Sequence, residues 1–188
     1  MGHIGPTRTD SDYVPLQVMN SLLGGKFTSR INLNLREDLG ITYGASSGFG
    51  HRRGHGPFVV SASVSTDSTG VAVEEILKEL RRLQEDPVGQ QELDETKNYL
   101  LGVFPYTLQR IDGLANRLAE IAIYDLPLDY YDRSLQQIRD VDVDQVQSLA
   151  VKHLHPERMA VVTVGPADEL APQLERFGPV KITPEETP

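Results

Sequence analysis

From Phe58 to Ser65 the chain alternates without a break. Phe58, Val60, Ala62 and Val64 fall on one face, and Val59, Ser61, Ser63 and Ser65 on the other. A period of two with one apolar side predicts an antiparallel strand with a single buried face. The stretch before it, Ile41 to Phe49, is rich in small residues and reads as a second strand. The turn Gly50-His51-Arg52-Arg53-Gly54-His55-Gly56 joins the two into a hairpin. Gly2 to Ile4 reads as the tail of a further strand whose beginning is missing.

Elsewhere the apolar period is helical. Asp10-Ser11-Asp12 supplies cap chemistry for a helix carrying Tyr13, Leu16, Val18, Met19, Leu22 and Leu23, with Pro15 in its first turn and Gly24-Gly25 at its end. Ser29 opens a short helix through Leu35-Arg36, stopped by Gly40. Ser68-Thr69 begin a helix with Val73, Ile76, Leu77, Leu80 and Leu83 on its stripe, closed by Asp86-Pro87. A long helical stretch from Gln90 is expected to break near Pro105 and resume from Asp112 to Ile123. Two more helices are expected over Asp129–Arg139 and Asp142–Leu154, the latter with Asp142 and Gln145 spaced as a capping box. Met159 to Val164 has the length and apolarity of a strand, Asp168 to Phe177 reads as a helix, and Val180 to Ile182 as a short final strand.

Strands joined by a tight turn are antiparallel, so this order predicts an α+β fold, with helices packed on one face of an antiparallel sheet. Residues 1–178 read as one domain that lacks its first strand, and 179–188 as a tail. The abrupt start suggests a piece of a longer polypeptide.

Composition narrows the chemistry. The 188 residues contain no cysteine, which removes disulfides, thiolate zinc sites and cysteine nucleophiles. A formal net charge of −9 repels phosphate backbones, so nucleic acid is not an expected partner. No apolar run has the length of a membrane span. The compartment stays open between the bacterial periplasm and the cytoplasm.

Few residue sets carry chemistry. His51 and His55 lie four apart in a glycine-rich turn, with no glutamate placed to complete an HxxEH pattern, and His153 and His155 flank a helix end. All five histidines read as solvated loop side chains, and no metal site is expected. Glu92, Asp94 and Glu95 read as the wet face of a helix, and no serine has the surroundings of a nucleophile. Arg36 and Tyr43 are more pointed. They stand seven positions apart, across one glycine, at a helix end and on the following strand. A guanidinium can grip a carbonyl, and a phenol can donate to an oxygen that is gaining charge. The plain alternative is a surface arginine beside a core tyrosine that shares a strand face with Ile41 and Ala45.

The run Asp10-Ser11-Asp12-Tyr13, Leu23-Gly24-Gly25, Ser29-Arg30, Leu35-Arg36-Glu37 and Leu39-Gly40-Ile41-Thr42-Tyr43 resembles the insulinase/pitrilysin-type zinc metallopeptidases, specifically the half that does not hold the metal. That resemblance implies an α+β half-domain inactive alone. Arg36 would anchor substrate backbone, and Tyr43 would hydrogen-bond the scissile carbonyl or its oxyanion. Leu23-Gly24-Gly25 and Ser29-Arg30 would position them. The cofactor implied is zinc, held by a partner half bearing HxxEH and not by this chain, and the substrate implied is a peptide or unfolded chain. A non-proteolytic structural or assembly subunit is the alternative, since some relatives serve that way.

Overall fold

The computed structural model describes residues 1–50 and 52–183. Its sheet has three antiparallel strands in the order β1-β3-β2: β1 is Gly2–Ile4, β2 is Thr42–Phe49 and β3 is Pro57–Val64. The central strand is the one with clean alternation. Phe58 and Val60 are fully buried beneath helices, while Ser61 and Ser63 face outward. One covered face and one wet face make this an α+β fold.

The first helix, α1 (Tyr13–Asn20), continues without interruption into a wider, π-helical turn, Ser21–Gly25. Likewise α2 (Arg30–Asn32) widens into Leu33–Asp38 before Gly40 turns the chain with φ +64°, a conformation that costs glycine little. The remaining helices are α3 (Thr69–Glu85), α4 (Gln90–Leu108), α5 (Ile111–Tyr124), α6 (Tyr130–Asp140), α7 (Val143–His153) and α8 (Ala167–Leu174). At the start of α7, Asp142 Oδ1 accepts from the Gln145 N–H at 2.8 Å, the cap the spacing predicts.

The core lies between the sheet and α1, α3 and α7. Leu22, Leu23, Ile31, Leu80, Leu83, Leu93 and Val146 have no exposed surface. Each such side chain contributes about 1.5–3 kcal/mol on burial. Arg8 is also buried, at 2% exposure. Its Nε and Nη2 donate to Glu120 Oε1 at 2.9 and 2.8 Å, and its guanidinium lies 3.7 Å from the Tyr13 ring centroid. Burial alone would raise Glu120, but bonds from Tyr131 and Arg8 outweigh it and hold the carboxyl below its usual range. This cluster ties the segment before α1 to α5.

Three expectations change. The helix from Gln90 runs through Pro105 to Leu108 and breaks instead at Gln109-Arg110. The lost backbone bond at Pro105 is tolerated because α4 is held against α5 and α6, with Phe104 and Tyr131 rings 5.7 Å apart. Met159 to Val164 forms no strand. Only Ala160 pairs, exchanging bonds of 2.8 and 2.9 Å with Gly2, because a strand needs a neighbour and β1 reaches no further. Val180 to Ile182 forms no strand either.

Candidate functional site

The free edge of β2 faces the two helix ends that carry the motif segment, and two asparagines meet it. Asn32 Oδ1 accepts from the Ala45 N–H at 2.8 Å, while its Nδ2 donates to Ala45 O at 2.5 Å. Two residues on, Asn20 Nδ2 donates to Ser47 O at 2.9 Å, and Ser47 Oγ donates to Asn20 Oδ1 at 2.7 Å. Alternate residues of a strand point their backbone groups the same way. The two amides therefore occupy successive outward positions and close an edge that would otherwise invite pairing.

Beside this seam β2 carries a bulge. Thr42 pairs with Val64 but Ala45 pairs with Ala62, so three steps on β2 oppose two on β3. The extra residue falls at Tyr43-Gly44. Thr42 braces it: its Oγ1 donates to Ser63 O at 2.8 Å or Gly44 O at 2.9 Å, and accepts from the Gly44 N–H at 3.1 Å. The bulge breaks the alternation that would put Tyr43 on the face of Ala45. Ala45 is buried, and Tyr43 is 99% exposed. The core-tyrosine alternative is thereby overturned; a bulge re-aims a side chain in just this way.

Arg36 sits on the π-helical turn that ends α2. The carbonyl of its neighbour Leu35 accepts from Ile41 N–H at 3.0 Å, which ties this turn to the start of β2. The guanidinium lies 3.8 Å from the Phe27 ring centroid. Its Nη1 is 3.1 Å from Glu37 Oε1 but off the line needed for a hydrogen bond, so that buried nitrogen has a Coulombic neighbour and no acceptor. Thus Arg36 and Tyr43 are held on adjoining, mutually bonded segments. Neither lines the clefts at the β1 edge, beneath Arg8 or around His153; Tyr43 is open to solvent, and Arg36 is partly buried, with about a third of its side chain exposed.

The other motif residues hold this element in place. Arg30 Nε and Nη2 donate to the two oxygens of Glu92 at 2.9 and 2.8 Å. Those bonds, ahead of the opposing effect of burial, pull the Glu92 carboxyl below its usual range. Glu92 is therefore a clamp between α2 and α4 and not part of a wet face. Lys26 Nζ donates to Thr96 Oγ1 at 2.7 Å, fixing the connection before α2 to the same helix. Gly24 lets α1 touch the sheet: a Cβ there would lie 2.9 Å from Ser47 N.

The histidines divide. His51 lies outside the described residues. His153 is not a solvated loop side chain but is buried at the end of α7, with Nε2 2.8 Å from Asp12 Oδ2. Asp10, Asp12 and His153 bring three potential ligand atoms within 4.8 Å of one another. However, Lys152 Nζ already donates to Asp12 Oδ2 at 2.7 Å, so an ammonium stands where a cation would bind and the set does not fit zinc. Pairs such as Asp12–His153 or Asn32–Ala45 had no local signal in the sequence.

The chain is similar to three known proteins. The Helicobacter pylori protein described as "Non-peptidase homolog YmxG" is 29% identical over 144 residues, 76% of this chain and 33% of that protein. The Bacillus subtilis protein described as "Uncharacterized zinc protease YmxG" is 23% identical over 82% of this chain and 38% of its own length. The crystal structure of a peptidase M16 inactive domain from Pseudomonas fluorescens superposes with a TM-score of 0.77 at 27% identity, covering 84% of this chain and 38% of that one. The chain thus spans little more than a third of the length of these relatives. A family model described as "Peptidase M16 inactive domain" matches residues 1–100 of the 188, and on that match the chain belongs to the peptidase M16 inactive-domain family.

Proposed function

We propose that this chain is the substrate-binding, non-zinc half of a zinc metalloendopeptidase acting on peptides or unfolded chains, with Tyr43 and Arg36 as its contribution to the site. The observation that carries the reading is the bulge at Tyr43-Gly44, which turns a tyrosine fully outward beside the turn bearing Arg36. An exposed phenol on a braced strand can donate a hydrogen bond to a carbonyl oxygen as negative charge builds on it. The neighbouring guanidinium can hold a second carbonyl or a carboxylate of the same chain. Tyr43 faces open surface with the partly exposed Arg36 beside it, so a facing partner would supply the other wall. Family membership points to a zinc-holding half as that partner. Zinc there would supply the hydrolytic chemistry, whereas this chain orients the peptide.

The test joins this chain to an HxxEH-bearing half and follows cleavage of an unstructured peptide. Tyr43→Phe is expected to lower kcat by roughly 10²–10³, the scale of losing one oxyanion donor. Arg36→Ala is expected to raise KM as well as lower kcat. Unchanged turnover in both variants would remove the assigned roles. A second reading, a non-proteolytic structural subunit of the same family, is favoured by the name of the Helicobacter pylori relative. Stable association with the partner half without any cleavage would select it.

A further inference from the structure

Two side chains reach the Arg36 guanidinium, and they act on it differently. Its Cζ stands over the Phe27 ring, 3.8 Å from the centroid. The Glu37 carboxylate lies beside it, with Oε1 3.1 Å from Nη1 but out of line for a hydrogen bond. Among the described residues, that buried nitrogen finds no acceptor. A ring beneath a guanidinium restrains where the cation sits and leaves its N–H groups free. A carboxylate attracts the same cation and, once aligned, consumes its donors.

The Phe27 ring is not part of what holds the fold. It is 63% exposed and lies outside the buried core. The connection that carries it is anchored by other groups. Lys26 Nζ donates to Thr96 Oγ1, and the Lys26 carbonyl accepts from the Ser29 N–H at 3.1 Å and from Asn32 Nδ2 at 3.3 Å. Three residues on, Arg30 grips Glu92. The turn that bears Arg36 has its own tie, from the Ile41 N–H to the Leu35 carbonyl. An exposed phenylalanine is thus presented on a fixed backbone, and the cation of a second fixed segment rests on it. Glu37, by contrast, is 54% exposed and adjoins Arg36 in the chain, so its carboxylate can follow the guanidinium if the ring lets go.

We infer that Phe27 is a positioning residue for Arg36: its ring keeps the guanidinium out of hydrogen-bond alignment with Glu37, so that the N–H donors stay available to a peptide carbonyl. The inference rests on the substrate-anchoring role proposed for Arg36 and adds a competition inside the chain. With the ring in place, the stacked pose dominates and the donors are free. Without it, the guanidinium turns onto Glu37 and its donors are spent on the protein's own carboxylate. A stack at an exposed site shifts such a balance by about two- to fivefold, and the fraction of chains able to take substrate changes by the same factor.

The test joins this chain to an HxxEH-bearing half and follows cleavage of an unstructured peptide. Phe27→Ala is expected to lower kcat/KM about two- to fivefold, and Phe27→Tyr, which keeps a ring face, to leave it unchanged. Adding Glu37→Ala to Phe27→Ala is expected to recover the loss, because the competitor is gone. Adding Phe27→Ala to Arg36→Ala is expected to cost nothing further, since the two residues act through one group. No recovery with Glu37→Ala, or a further loss in the Arg36→Ala background, would overturn the inference and leave the role of Arg36 standing. Unchanged cleavage in Arg36→Ala itself would overturn both. A second readout needs no cleavage: the Arg36 side-chain protons of this chain are expected to carry an upfield ring-current shift in NMR spectra, lost in Phe27→Ala and kept in Phe27→Tyr. Its absence from the unaltered chain would overturn the inference independently.

Discussion

The Asn32 side chain holds Ala45 as a neighbouring strand would, with Oδ1 on its N–H and Nδ2 on its C=O. Both groups are buried, and the residue just before them is part of the bulge that exposes Tyr43. One amide therefore closes a sheet edge and braces the element that presents the phenol. Replacing Asn32 by Leu orphans two buried backbone groups at about 1–3 kcal/mol each, so Asn32→Leu is expected to destabilise by about 2–6 kcal/mol in urea. An unchanged urea midpoint would mean that water takes over both bonds and the brace is dispensable.

Gly24 and Gly48 make a paired test of how closely α1 meets the sheet. A Cβ at Gly24 would crowd Ser47 Oγ and lie 2.9 Å from Ser47 N, whereas one at Gly48 meets nothing within 4 Å. Gly24→Ala is expected to cost about 1–3 kcal/mol, since the backbone must retreat. Gly48→Ala is expected to change stability by less than about 0.5 kcal/mol or to raise it slightly. Thermal melts of the two variants check the contrast.

Tyr43 contributes nothing to packing, being 99% exposed, so Tyr43→Phe is expected to leave the melting temperature unchanged. Arg36→Ala loses the stacking of the guanidinium on Phe27, worth about 0.5–1 kcal/mol at an exposed site. Loss of cleavage in Tyr43→Phe with a wild-type melt would place the effect on the reaction. A lowered melt would show that the phenol has a structural partner in solution.

Acid should loosen two clamps. Bonds from Arg30, and then its charge, hold Glu92 below its ordinary 4.5, although burial acts the other way. For Asp12, burial would raise the carboxyl, but bonds from His153 and Lys152 outweigh it and keep it below the ordinary 3.8. Both groups have folded-state pKa values under their unfolded ones. Their stabilisation is thus complete above about pH 4.5–5 and is lost as pH falls through and below that range. Glu92→Gln is expected to lower stability at neutral pH and to flatten the decline below pH 4.5. A decline of unchanged steepness in urea titrations at pH 3–6 would assign the acid sensitivity elsewhere.

Much of this was legible in the residues. Alternation from Phe58 to Ser65, the stripe from Val73 to Leu83 and the glycines at 24, 25 and 40 are local signals, set by side-chain period and backbone freedom. The segment from Leu23 to Tyr43 located the candidate site for the same reason, since its residues lie close in the chain. Pro105 misled because a helix clasped by neighbours survives one lost bond. Met159–Val164 misled because an apolar run of strand length makes a strand only where another strand is present to bond it.

What the sequence determined by itself was most of the helices, the antiparallel hairpin and the placing of a guanidinium and a phenol on adjoining segments. Tertiary structure alone decided which way that phenol points. The direction rests on a one-residue mismatch between β2 and β3 and on an asparagine thirteen residues from the backbone it grips. Local propensity is short-ranged, whereas register and edge closure are settled by hydrogen bonds between distant residues, and those exist only once the chain has folded.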